Sequence, residues 1–346
     1  MKPKRICFFT TRQDFPRQVA ISYYEKIFPR DIEVFIFCRK DGDNHLESKR
    51  FKIINCSASK LLIPFLLRRF CRKNKIDVLL NLSGIIEVTY ALILATIFTK
   101  VKCIYYWWSD PQINLKNATF LLLQPFLDRF LAGSKGVEEK AKKYLFLSRK
   151  KIFYLPLPVN TGIFKPKNKN KSRNKLKIGL KDKVLIYVGR IEYMKGSDIL
   201  FKIIKKNPDK KFILLGKVMD NLYKKKKLDN VIIKVVSNKE LVDYYNVADL
   251  CIFLSRRDGY SYIPRESMAC GTPVVLSDID AFKQIKTPAA FKVKLDVHDV
   301  QDKIDSFFAI SKKNRKLISM EGRQFVINDS SEEKMKKITL DKFLNF

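Results

Sequence analysis

Two short stretches of this chain combine residue types that can do chemistry. In the first, an apolar run from Val184 to Val188 stops at Gly189, and Arg190 follows. Lys195 and Gly196 come after a short gap and lead into Ser197 and Asp198. A glycine lets a ligand approach the backbone closely, and two cations beside it can clamp a diphosphate. A helix opening at Ser197 would add a partial positive charge. The same pattern also describes an ordinary strand-to-helix loop with surface cations, and spacing alone leaves both open.

The second stretch runs from Leu250 to Leu276. A buried-strand pattern enters a turn holding Asp258 and Gly259, a helical segment carries Glu266, and Gly271 precedes another strand pattern. An ionised carboxylate is a strong acceptor for sugar and ribose hydroxyls. The separation of Asp258 and Glu266 lets a loop acid and a helix acid reach opposite ends of one ligand. Taken singly, each also reads as a solvated turn Asp or a helix-face Glu.

In this order, the segments resemble the retaining GT-B glycosyltransferases, specifically glycosyltransferase family four (glycosyl transferases group 1). The resemblance rests on Gly189-Arg190, Lys195-Gly196, the helix ending at Ala248-Asp249-Leu250, and Asp258-Gly259-Tyr260-Ser261. It is closest at Glu266-Ser267-Met268-Ala269-Cys270-Gly271-Thr272-Pro273-Val274-Val275. The junction from Leu155 to Pro166 and the pair Gly133-Ser134 match more loosely.

The resemblance implies two facing Rossmann-like domains with an interdomain cleft and a nucleoside-diphosphate sugar as donor. Arg190 and Lys195 would hold the donor diphosphate and stabilise the charge that grows on it. Asp258 would contact the transferred sugar. The backbone at Gly189 and the amides of Gly259, Tyr260 and Ser261 would lie near sugar and phosphate, and Glu266 would accept from the ribose hydroxyls. No metal or other cofactor is implied.

Several positions depart from the family pattern. Asp258 stands where the first glutamate of an E-x7-E pair is usual, and Ser261 replaces a glycine. The stretch from Thr10 to Pro16 lacks the usual glycine-rich loop. Ser109 occupies the place of a histidine, so Asp110 reads either as a donor or acceptor contact or as a cap before Pro111. Gln284 stands near a usual glutamate. The altered first-domain positions keep a noncatalytic GT-B partner subunit in view, and the fold by itself also admits a nucleotide-sugar epimerase. Two D-x-D strings, Asp41-Gly42-Asp43 and Asp278-Ile279-Asp280, are too short a signal for a metal site.

The elements that must position these residues follow an α/β pattern. Strand patterns occupy residues 5–10, 33–38, 77–82, 102–107, 130–132 and 152–155, with helical stretches at 18–27, 60–73 and 137–147. A second series covers 184–188, 211–215, 231–235, 250–254, 273–276 and 290–293. The polar, cationic run 165–175 reads as a surface connection near a domain boundary. The expected organisation is an acceptor-binding domain over 1–165, a nucleotide-sugar-binding domain over 166–325, and a helical segment over 326–346 that packs anywhere, including back on the first domain. Open α/β sheets bind ligands at the carboxyl ends of their strands.

The chain of 346 residues carries 69 Lys and Arg against 35 Asp and Glu, a formal charge of +34, so it attracts polyanions. With 46% apolar residues it is not a disordered chain. Seven scattered cysteines without a C-x-x-C fit a reducing compartment, and two histidines are too few for a histidine metal site. The longest largely apolar stretch, 88–98, falls well short of the ~20 residues that span a bilayer. These readings suggest a cytoplasmic protein, either soluble or peripheral on the inner membrane face. No helix-turn-helix, zinc finger or RNP-like strand supports a specific nucleic-acid partner.

Residues 59–75 concentrate Leu61, Leu62, Phe65, Leu66 and Phe70 with Arg68, Arg69, Arg72 and Lys73. They read either as a core helix with cations at its dipole end or as a contact with an anionic membrane surface. Residues 120–126 are a second, less charged candidate. The expected acceptor is a glycan or lipid-linked glycan at the membrane face.

Overall fold

A computed structural model describes residues 4–10, 15–39, 46–81, 86–108, 123–225 and 228–345. The chain divides into two compact units, 1–158 with 335–346, and 159–334. The division falls at Pro158/Val159 and Lys334/Met335 rather than at 165/166 and 325/326.

The first unit is a seven-stranded parallel sheet. Its strands are β1 (Arg5–Thr10), β2 (Glu33–Arg39), β3 (Lys52–Cys56), β4 (Val78–Asn81), β5 (Lys102–Trp107), β6 (Arg129–Ala132) and β7 (Ile152–Tyr154). They lie in the order β3-β2-β1-β4-β5-β6-β7. The described helices here are α1 (Phe15–Ile27), α2 (Ile63–Lys73), α3 (Ile86–Thr96) and α4 (Lys135–Tyr144).

The second unit is a six-stranded parallel sheet of β8 (Val184–Val188), β9 (Lys211–Leu215), β10 (Val231–Lys234), β11 (Leu250–Phe253), β12 (Val274–Ser277) and β13 (Ala290–Val293). The order is β10-β9-β8-β11-β12-β13. Its helices are α5 (Lys169–Lys175), α6 (Ser197–Lys206), α7 (Leu222–Lys225), α8 (Asn238–Val247), α9 (Ile263–Ala269), α10 (Val297–Ala309) and α11 (Lys312–Ser330). A last helix, α12 (Glu332–Leu344), carries Met335 and the residues after it into the first unit. There Phe343 packs against Phe8, Tyr24 and Phe28.

Alternation of side chains across the second sheet builds two cores. Val184 and Ile186 enter one, with Tyr245, Cys251 and Met268; Leu185 and Tyr187 enter the other, with Leu200, Ile204 and Ile252. Burial on both faces explains why the central strands β8 and β11 read as continuous apolar runs rather than alternating ones. Both sheets reverse strand order beside their first strand, at β1/β4 and at β8/β11, and the crevice at the carboxyl ends of such a pair is where ligands bind in folds of this kind.

Three sequence expectations need correction. The run 165–175 is no simple connection: Asn168 caps α5 by accepting from the Lys171 amide at 3.0 Å. Arg173 is buried, donating to the Val247 carbonyl at 3.1 Å and to Asp249 at 3.0 Å, while Lys169 reaches Asp249 at 2.6 Å. Its cations satisfy helix ends and carboxylates, so a polar composition concealed a packed element. The edge strand β3 escaped notice because it is short and only partly covered.

The third correction concerns α2. Its buried residues are Ile63, Leu67 and Cys71, and Phe70 packs against Phe35 and Phe37. Leu61, Leu62, Phe65 and Leu66 are exposed. Apolar residues on both sides of the first turns gave the sequence two possible core stripes. Among the described residues no helix is long and apolar enough to cross a membrane.

Candidate active site

The loop between β8 and α6 is bent by two close backbone approaches. Gly189 has φ +126° and donates to the Leu215 carbonyl at 2.9 Å. Its own carbonyl lies so near Gly216 that a Cβ there would sit 2.0 Å from it. Gly196, at φ +73°, passes the end of β11, and a Cβ on it would fall 2.3 Å from the Leu254 carbonyl oxygen. Only glycine fits either place. Between them the Tyr187 hydroxyl, rooted in the core, donates to the Arg190 carbonyl at 2.7 Å.

That passage brings Lys195 to the loop that follows β11. Its Nζ lies 2.8 Å from Asp258 Oδ2 and donates to Ser255 Oγ at 3.2 Å. The other Asp258 oxygen accepts from the Gly259 amide at 3.0 Å. A cation and a carboxylate far apart in sequence thus meet at the β8/β11 reversal. Arg190 goes elsewhere: its side chain is 65% exposed and pairs with Glu192 at 2.9 Å.

Arg256, which the sequence reading passed over, ties the two loops together. Its guanidinium grips both oxygens of Asp198 at 2.8 Å and lies 3.8 Å from the Tyr193 ring centroid. It also donates to the Tyr193 carbonyl, and its amide donates to the Met194 carbonyl at 3.0 Å. Burial opposes ionisation of Asp198, but the hydrogen bonds and charge of Arg256 hold its carboxyl below the ordinary range. Nothing in the local sequence marks Arg256, because its partners sit about sixty residues away.

Downstream, Tyr260 and Ser261 are buried. The Arg265 guanidinium covers the Tyr260 ring at 4.5 Å and bonds Asp329 at 3.0 Å, fixing the turn against α11. Glu266, on α9, accepts from the buried Tyr245 hydroxyl at 3.2 Å. Burial pushes its carboxyl up to about 7, partly countered by the Tyr245 bond. A desolvated acid with one donor retains acceptor capacity for further hydroxyls.

Asp110 and Ser109, the stretch 11–14, and the string Asp41 to Asp43 lie outside the described residues. Asp278 faces Lys292 at 3.6 Å and Asp280 pairs with Lys283 at 2.9 Å. Among the described residues no cluster of three His, Cys, Asp or Glu side chains could hold a metal ion. Gln284 donates to the Ala281 carbonyl at 2.9 Å.

Residues 168–324 match the family model described as glycosyl transferases group 1. The second unit carries a glycosyl transferases group 1 domain. The matched residues include Gly189, Arg190, Lys195, Arg256, Asp258 and Glu266. Among curated relatives, the D-inositol 3-phosphate glycosyltransferase of Segniliparus rotundus is 26% identical over 167 residues, 44% of this chain and 37% of its own. That of Thermobispora bispora is 27% identical over 161 residues, 41% of this chain and 38% of its own. The chain thus spans well under half the length of these relatives.

Solved structures resemble the chain over nearly its whole length. A glycosyltransferase from Rickettsia africae has a TM-score of 0.79 at 18% identity, covering 98% of this chain and 97% of that one. Sucrose-phosphate synthase from Thermosynechococcus elongatus reaches 0.80 at 17% identity, covering 97% of each. Anabaena HepE in complex with UDP reaches 0.81 at 14% identity, covering 97% and 98%. The fold around the glycosyl transferases group 1 domain is therefore GT-B, two Rossmann-like α/β domains with parallel sheets.

Proposed function

We propose that the protein is a retaining glycosyltransferase of family four that moves a sugar from a nucleoside-diphosphate donor to a glycan or lipid-linked acceptor at the cytoplasmic membrane face. The observation that carries this reading is the meeting of Lys195 and Asp258, 2.8 Å apart, at the carboxyl ends of β8 and β11. The UDP held by Anabaena HepE supports a nucleoside-diphosphate donor.

Each residue then has a part in one displacement. Lys195, joined by Arg190, faces the diphosphate and stabilises the negative charge that develops on it as the bond to the sugar breaks. Asp258 orients Lys195 and accepts from a hydroxyl of the transferred sugar. The amides of Gly259, Tyr260 and Ser261 line the sugar and phosphate, the Gly189 backbone lies close to the donor, and Glu266 takes the ribose hydroxyls. The acceptor oxygen bonds to the anomeric carbon on the face the leaving group departs from. Its proton passes to the departing phosphate oxygen, and nucleoside diphosphate is released. This scheme uses the chain's own cations and needs no metal ion.

A thermal-shift screen against nucleotide sugars, followed by turnover with the donor that binds, tests this. A ligand that binds only the native chain raises its melting temperature. One class of nucleotide sugar should do so and then be consumed. A chain stabilised by none of them, or one that binds a donor without releasing nucleoside diphosphate to any acceptor, would overturn the proposal.

A further inference from the structure

Helix α2 presents an outward side that changes character along its axis. Ile63, Leu67 and Cys71 point into the first unit's core. On the other side, Leu61 in the preceding turn is 88% exposed and Phe65 is 82% exposed, with Leu62 and Leu66 beside them. At 100° per residue the same side continues as Arg68, Arg69, Arg72 and Lys73. The apolar and cationic residues therefore succeed one another along the helix instead of occupying opposite faces. No acid occurs between Ser48 and Ile76. Among the described residues no ion pair engages Arg69, Arg72, Lys73 or Lys75.

The carboxyl ends of α2 and α3 extend this surface. Lys75 and Phe98 both adopt left-handed backbones, φ 49° and 59°, in places where glycine is usual after a helix. The Phe98 ring is 89% exposed and meets Phe126 edge-on at 6.4 Å. A cavity of about 380 Å³ lies between the helices, with Arg68, Arg72, Lys75, Phe98 and Thr99 in its wall. Arg68 donates to the Leu94 carbonyl at 3.4 Å, which anchors one guanidinium over the cavity.

We propose that this side of the first unit docks on a bilayer bearing anionic lipid. Leu61, Leu62 and Phe65 enter the interface, while the arginines and lysines of the last turns bear on lipid phosphates and one headgroup phosphate occupies the cavity. The order along α2 matches the change from hydrocarbon to headgroups, and its charge is complementary to an anionic leaflet. A protein partner would have to supply acids for the cations and an apolar pocket for Leu61 and Phe65 side by side. The inference deepens the reading of a membrane-face acceptor, and rests on it, by naming the surface that brings the enzyme to that face.

The full chain is sedimented with vesicles of phosphatidylcholine alone and of phosphatidylcholine with phosphatidylglycerol. Binding is expected to the second only and should weaken in high salt. Leu61→Ser/Phe65→Ser and Arg69→Gln/Arg72→Gln should each weaken it roughly tenfold or more, with unchanged melting temperatures, since these side chains are exposed. Equal binding to both vesicles, no binding, or wild-type binding by both variants overturns the proposal. Donor binding in the second unit separates the two readings. A chain that is stabilised by its donor but ignores vesicles refutes the docking surface alone, and one that docks but turns over nothing refutes the transferase.

Discussion

Lys195 and the arginines of α2 are cations of one chain in opposite circumstances. Lys195 is 24% exposed, is held by Asp258 and Ser255, and lies in a loop pinned by Tyr187, Arg256 and two glycines. Arg69 and Arg72 are exposed, and no acid occurs between Ser48 and Ile76. Organised charge costs no rearrangement when a transition state forms, whereas loose charge acts through number and long-range attraction. The +34 excess therefore comprises two kinds of positive charge, and variants of each kind should behave differently.

The largest effect is expected at Lys195. Lys195→Ala should lower turnover about a hundred- to a thousandfold with the fold intact, because a preorganised charge is lost. Arg190→Ala should cost less, since that side chain is exposed and already engaged by Glu192. Equal losses at the two positions, measured as kcat, would break the distinction between held and loose cations.

Next comes Arg256, which touches no reacting group in this reading but positions the loop bearing Lys195. Arg256→Ala should reduce kcat about ten- to a hundredfold with little change in the donor KM. Arg256→Lys should not restore it, because an ammonium cannot take both Asp198 oxygens while stacking on Tyr193. If Arg256→Ala lowered the melting temperature and left kcat unchanged, Arg256 would be a structural tie only.

The smallest effect concerns Glu266. Its folded carboxyl titrates near 7, above the ordinary range, so the native state holds that proton more tightly than the unfolded chain does. Stability is then lost as pH rises from about 4.5 to 7, and above that window the ionised form costs about 1 to 2 kcal/mol, allowing for its partial exposure. Glu266→Gln keeps an acceptor for Tyr245 and removes the charge. The variant should melt higher than wild type at pH 8, match it below pH about 5, and bind donor more weakly. A stability difference independent of pH would sink this account.

Much of the second unit was legible because its signals are local. The strands at 184–188 and 250–253 are buried on both faces and read as unbroken apolar runs, while Gly189 and Gly196 punctuate a loop that no other residue could form. The first unit was harder to read. The α3 segment is largely apolar and offers no clear period, β3 is a short edge strand, and α2 has two plausible apolar stripes. Arg256 and Tyr245 were invisible for another reason: each acts on residues far away in sequence. The α5 segment misled because its lysines and Arg173, which look solvated, satisfy Asp243, Asp249 and helix carbonyls.

By itself, the sequence determined the α/β class, the two series of parallel strands, and the places of Gly189, Lys195, Asp258 and Glu266. Those features depend on residue type and on spacing along the chain. Only the tertiary structure decided that Lys195 meets Asp258, that Arg190 turns to Glu192, and that Arg256 locks the two loops. It also decided which side of α2 is covered. Such choices rest on strand order and on which neighbours exclude water, and both are set by contacts between distant segments.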